Sequence, residues 1–369
     1  MRVLIEQELF GRPEGLSLPF LEIFALARDG RHTLLTKPIF RDGEDGPIAG
    51  WLNVLPEPVV KRVRLVFEQA LQSAASLPSD TATITIAATT DWRRGRLTLA
   101  QAIRLLRMPL GLLLEHRRTD LRFLLALAPP TQRRQLQDAL DAGWIEVLNG
   151  GGLGDMTALI EELSDPSSET LVQRARLMRL WVMFDRDSDL TDRARPSPNS
   201  ERLKAICEKA SNAVGSPWPL NHYQLGRRTI ENYLPERLLR LWQQDVSGSN
   251  RTKRRKTIDA LSDLRKTWPE AGHQYNMKHG LVGDLGDELR TQVRKQNRDV
   301  RDHELDPLFQ RLSEQDRKAL RDGFRSKIAD LFDWDPGGYE DAFRAEFERG
   351  RRPDEPTREA ILNSLFARL

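Results

Sequence analysis

Asp185 and Asp187 stand at alternate positions directly after the apolar run Leu180-Trp181-Val182-Met183-Phe184. A strand fixes its own backbone, so carboxylates at its end in this spacing can turn toward one cation. Hard oxygen ligands of this kind suit Mg²⁺ or Mn²⁺. Asp189 adds a third acid in the same alternation. The chemistry this predicts is that of phosphate esters.

Three other readings compete for the same stretch. An EF-hand calcium loop also starts with alternating acids, but it needs glycine at its sixth position and glutamate at its twelfth. Leu190 and Pro196 stand there, which excludes it. An aspartate-nucleophile phosphatase of the haloacid-dehalogenase type also places Asp-x-Asp after a strand. It then wants Thr or Val where this chain has Asp189, and it stays open, as does a solvated acidic turn.

The elements around this run decide what can stand beside it. Leu110-Gly111-Leu112-Leu113-Leu114 is a short continuous apolar run, as expected of a strand buried on both faces. It ends at Glu115. A helical stretch with Leu121, Leu124, Leu125 and Ala128 in register stops at Pro129-Pro130. A helix over 132–142 leads to a second strand, Trp144–Leu148, then to Gly150-Gly151-Gly152-x-Gly154 and a helix from about Met156 to Leu163. The run ending at Asp185 is the third strand, and His222–Leu225 reads as a fourth. Ser200 is placed to cap the helix between them. Strands alternating with helices imply a parallel sheet, whose ligands bind beyond the carboxyl ends of the strands. Glu115 and Asp185 both fall at that edge.

Other residues carry weaker signals. The glycine run either lets backbone approach a phosphate or simply makes a flexible turn. Arg227 and Arg228, just before Thr229-Ile230-Glu231-Asn232-Tyr233-Leu234, are placed to contact phosphates or to flank a buried segment. Arg254 and Arg255 lie in a basic block over 251–256, which is either a nucleic-acid contact or a solvated face. No Gly-Lys-Ser/Thr phosphate loop occurs, so the sequence shows no ATPase machinery.

Composition sets the bounds. The chain has 369 residues, 39% of them hydrophobic and 30% charged, enough for two or three globular domains. Its 57 Lys and Arg nearly cancel 54 Asp and Glu for a net charge of +3, so only local clusters argue for nucleic acid. The single cysteine, Cys207, excludes an internal disulfide framework and fits a reducing, cytoplasmic setting. The N-terminus lacks a signal-peptide pattern, and no apolar run approaches a membrane span.

Taken in order, these segments resemble a TOPRIM domain, the Rossmann-like fold shared by topoisomerases, primases and a group of nucleases. That family places a glutamate after its first strand, a glycine turn after its second and Asp-x-Asp after its third. Leu114-Glu115, Asn149-Gly150-Gly151-Gly152 and Phe184-Asp185-Arg186-Asp187 correspond. Arg228-Thr229-Ile230-Glu231-Asn232-Tyr233-Leu234 is similar to a stretch of the OLD (overcoming lysogenization defect) nuclease group and related anti-phage proteins. In that group the glutamate contributes to a second metal position, and a lysine downstream of the core is used; Lys278 is the match here. The chain departs from the family in having His116 after Glu115, and in placing Asp120 five positions after Glu115 where four is common.

The resemblance implies an α/β fold with a TOPRIM-like catalytic domain over 106–245. It is flanked by an α+β segment over 1–105, where Thr83–Ala88 reads as a strand and Val60–Ala75 as an amphipathic helix, and by a mostly helical region over 246–369. It implies a Mg²⁺- or Mn²⁺-dependent DNA endonuclease or nickase in anti-phage defence. Glu115, Asp185, Asp187, Asp189 and Glu231 would hold metal, and Arg227, Arg228, Arg254, Arg255 and Lys278 would face phosphates. DNA is the expected partner, and related nucleases work with a separate ATPase protein. The flanking regions are left to bind DNA, to pair two copies as a homodimer or to hold the site shut. The alternative class is a non-catalytic nucleic-acid or partner-binding module on the same scaffold.

Overall fold

The computed structural model describes residues 1–12, 17–36, 47–74, 81–165, 170–189, 192, 195–213, 219–333 and 338–369. Over these residues the chain forms two four-stranded parallel sheets. The first contains β1 (Arg2–Ile5), β2 (Thr33–Thr36), β3 (Thr83–Ile86) and β4 (Arg96–Leu97), in the order β2-β1-β3-β4. The second contains β5 (Leu110–Leu114), β6 (Ile145–Asn149), β7 (Leu180–Phe184) and β8 (Asn221–Gln224), in the order β6-β5-β7-β8.

The first sheet corrects the expectation of an α+β N-terminal segment, because that segment is itself parallel α/β. Only β3 has a clear sequence signal. β1 and β2 are four residues each and carry Arg2, Thr33 and Thr36 at their ends, too short to show a period. The amphipathic helix runs over Glu57–Ala74 and buries Val63, Val66, Phe67 and Ala70, while Leu71 is exposed.

The second sheet has the four expected strands, each within one residue of its predicted ends. β5 and β7 are buried throughout. Their side chains alternate between two cores, as pleating requires. Leu110, Leu112, Leu114, Trp181 and Met183 pack on one face with the helix Arg117–Leu127. Leu113, Leu180, Val182 and Phe184 pack on the other with the helices Leu153–Leu163 and Pro198–Ala213. From β5 the chain crosses to β6 on one side, and β7 lies on the other. The gap between β5 and β7 is therefore the topological switch point, where open parallel sheets leave a crevice.

Beyond β8 the described residues are helical, with Gly248–Thr267 the longest helix. They share one core with β5, β7 and the helix Arg117–Leu127. The last helix, Arg358–Arg368, closes on the same sheet: Trp181 Nε1 donates to Ser364 Oγ at 3.0 Å. No helix among the described residues is long and apolar enough to cross a membrane.

Candidate metal centre

β5 and β7 are in register with Leu114 opposite Met183, so Glu115 and Asp185 leave neighbouring strands at nearly the same level. The loop after β7 is tied down at each residue. Ser200 Oγ donates to Asp185 O at 2.9 Å, Asp187 N–H to Arg228 O at 2.9 Å, and Ser188 Oγ to Gln274 Oε1 at 2.5 Å. Ser200 is not the helix cap that its sequence position suggests. The helix starts earlier, at Pro198, and Ser197 Oγ accepts Ser200 N–H at 3.2 Å. This places Ser200 in the first turn, with its hydroxyl on the loop after β7. Asp187 sits in the left-handed region at φ 49°, which costs a non-glycine residue about 1 kcal/mol and is held by these ties.

Glu231 arrives from a separate segment, the 3₁₀ turn Ile230–Tyr233, and is only 1% exposed. Its neighbours explain the turn. Asn232 Nδ2 donates to Gly272 O at 3.2 Å and Tyr275 O at 2.9 Å. The Tyr233 hydroxyl accepts the N–H groups of Gly226 and Arg227, both at 3.1 Å. Ile230 and Tyr233 fill the core. With its neighbours fixed on either side, Glu231 is directed at the carboxyl edge of the sheet.

The electrostatics join these acids into one cluster. Burial pushes Glu115 up to about 7, helped by Asp187, Asp120 and Glu231 and opposed by Lys278. Asp185 is held well above the carboxylate range by burial first, then by Glu115, Asp120, Glu231 and Asp187. Asp187 is raised by burial, with Arg228 and Lys278 pulling the other way. Asp120 belongs to the set, raised by burial. Its Oδ2 accepts His116 N–H at 2.9 Å and its Oδ1 the Thr119 hydroxyl at 3.3 Å. Its spacing from Glu115 departs from the family pattern, so sequence gives it little weight. Only the fold shows that it is 5% exposed and within reach of the other charges.

Lys278 Nζ lies 3.0 Å from Glu231 Oε1. Burial opposes its charge, but Glu231, Asp185 and Glu115 outweigh that and hold it above its ordinary value. Arg228 is close enough to stabilise the Asp187 carboxylate, and one of its nitrogens is paired with Asp284 at 2.7 Å.

Four expectations change. Arg227 is 2% exposed, and its guanidinium donates to Glu346 Oε1 at 2.7 Å, to Asn232 O at 2.6 Å, and to the carbonyls of Glu346 and Arg349. It supports the Glu231 turn from behind and does not face a phosphate. Asp189 belongs to the following turn, where its Oδ1 accepts Asp192 N–H at 3.3 Å. Arg254 lies over the Trp242 ring at 3.6 Å and donates to Trp242 O at 2.6 Å, which packs it between two helices; Arg255 beside it is exposed. The glycine run has a local reason: a Cβ on Gly150 would meet Met156 Cγ at 2.3 Å, and Gly151 and Gly152 have φ of 69° and 122°. The turn needs those glycines whether or not a phosphate approaches.

Among the described residues no group of three or more Asp, Glu, His or Cys side chains stands together closely enough to hold a metal ion. The buried donors are carboxylate oxygens, the type a hard divalent ion takes. Glu115 Oε2, Asp185 Oδ1 and Glu231 Oε2 are buried oxygens without a hydrogen-bond partner. Unpaired buried carboxylate oxygens are costly unless the group is protonated or a cation is bound. The chain matches no protein-family model, no curated protein and no solved structure.

Proposed function

We propose that this chain is a Mg²⁺- or Mn²⁺-dependent DNA endonuclease or nickase built on a TOPRIM-like sheet. The observation that carries the proposal is the trio of orphaned buried oxygens on Glu115, Asp185 and Glu231, from three separate segments at the switch point of a parallel sheet.

In this reading Glu115, Asp185, Asp187 and Glu231 hold the ions, with Asp120 behind Glu115. A bound divalent ion would supply water activation and charge neutralisation at a scissile phosphate. The residues of the chain supply the rest. Glu115, raised to about 7 without metal, would have to lose its proton to bind an ion. Lys278, cationic and beside Glu231, neutralises charge gathering on the phosphate. Arg228 steadies Asp187 from the side. The exposed Arg251, Arg255 and Lys256 on the helix Gly248–Thr267 offer backbone-phosphate contacts away from the cut.

A role in anti-phage defence and a separate ATPase partner follow from the resemblance of the Arg228–Leu234 stretch, and the genes beside this one test both. The activity is tested by incubating the protein with supercoiled plasmid and Mn²⁺, alone and with any ATPase encoded beside it. Nicking that is lost in Asp185→Ala is expected. No nicking under either condition, or equal nicking by the variant, would overturn the reading.

A further inference from the structure

A cavity of about 610 Å³ lies beside the carboxyl end of β8, and none of the five clustered carboxylates lines it. Arg186 does. It sits between Asp185 and Asp187 in sequence, so one short loop presents its acids to the metal centre and its arginine to the cavity. The volume is within the range of small-molecule sites, about 300–1,000 Å³.

The lining has two characters. Arg186, Arg195, Lys204 and Arg352 bring positive charge to one space. Arg195 precedes the sixteen-residue helix Pro198–Ala213 and Lys204 lies in its second turn, and the N-terminal end of the helix adds its own positive dipole. Three carboxylates line it too: Glu355 and Asp354 lie 2.9 Å and 3.9 Å from Arg352 Nε, and Glu201 accepts from Gln224 Nε2 at 3.1 Å. Arg352 is therefore engaged, and the positive charge toward a ligand is that of Arg186, Arg195 and Lys204. Opposite the charges, Tyr223, Leu225 and Pro356 supply an apolar wall of the kind a flat base packs against.

We propose that this cavity binds a nucleoside 5′-phosphate, with the phosphate on the Arg186–Arg195–Lys204 side and the base along Tyr223 and Pro356. The ligand is either a free nucleotide or the phosphorylated end of a DNA strand. The site needs no divalent ion, so it stands independently of the nuclease reading.

The test is calorimetric titration of the full chain in EDTA, which removes any metal-dependent binding at the carboxylate cluster. The probes are deoxyadenosine 5′-monophosphate, deoxyadenosine, and a short oligonucleotide with and without a 5′-phosphate. Saturable binding of a phosphorylated probe over its unphosphorylated partner is expected, weakened at least about tenfold by Lys204→Glu and by Arg195→Glu. Tighter binding of the phosphorylated oligonucleotide identifies the strand end, and equal or tighter binding of the mononucleotide identifies the free nucleotide. Equal binding with and without the phosphate, no binding of any probe, or unchanged affinity in both variants would overturn the proposal. Each result is independent of whether the protein nicks DNA in Mn²⁺.

Discussion

Lys278 Nζ stands 3.0 Å from Glu231 Oε1, while Glu231 Oε2 is buried without a partner. One carboxylate thus faces a permanent cation with one oxygen and keeps the other for an ion. The lysine charge also lowers Glu115 and Asp187. Lys278→Met is therefore expected to shift the pH profile of Mn²⁺-dependent cleavage to higher pH, by about one unit, as well as to slow it. A rate profile with its midpoint unmoved would show that Lys278 acts only as a structural partner.

The carboxylates make both stability and metal affinity depend on pH, in opposite senses. Glu115 is raised from 4.5 to about 7, so the folded chain holds that proton more tightly than the unfolded chain does. This contribution to stability is full below 4.5 and is lost as pH rises through about 7. Asp120, Asp185 and Asp187 are raised in the same direction. Denaturant melts without metal should show stability falling across this window, and Asp185→Asn should remove part of the fall, worth about 1–2 kcal/mol at pH 8. Metal needs the ionised forms, so Mn²⁺ affinity should rise over the same window.

The second sheet was legible in the sequence because β5 and β7 are continuous apolar runs ended by acids, and the turns between them carry Pro129-Pro130 and Gly150–Gly152. Glu115, Asp185 and Asp187 stood out in the sequence because each follows a recognisable strand, and Glu231 stood out only through the resemblance of its segment. The first sheet was not legible, since four-residue strands with polar ends give no usable period. Nor could sequence decide between neighbours of the same type. Arg227 and Arg228 are adjacent, yet one is enclosed by Glu346 and backbone carbonyls and the other lies beside Asp187, a difference set by the helix Glu340–Glu348 from far along the chain. Arg254 and Arg255 separate in the same way, through Trp242.

That difference between the adjacent arginines gives a paired prediction. Arg227→Ala leaves the buried Glu346 with more distant guanidinium groups only, Arg349 at 3.4 Å and Arg265 at 3.6 Å. It should destabilise the fold by about 3 kcal/mol in urea melts. Arg228→Ala, whose partner Asp284 also accepts from Asn276 Nδ2 at 3.2 Å, should leave more of the stability intact and lower cleavage instead. The reverse ranking in melts and nicking assays would contradict these placements.

The helix Gly248–Thr267 carries the exposed cations Arg255 and Lys256. Reversing both to glutamate should weaken DNA binding without changing Mn²⁺ affinity. The slope of log affinity against log salt should fall by roughly 0.9 for each phosphate that the helix no longer neutralises. An unchanged slope would mean that DNA approaches along another face.

The proposal that carboxylates from three segments make one ion site is tested most directly by Mn²⁺ binding followed by electron paramagnetic resonance. Saturable binding to the full chain at pH 8 is predicted, abolished or greatly weakened in each of Glu115→Gln, Asp185→Asn and Glu231→Gln, with all three variants folded. Saturable binding that survives all three substitutions, or no binding by the folded wild-type chain, would contradict it.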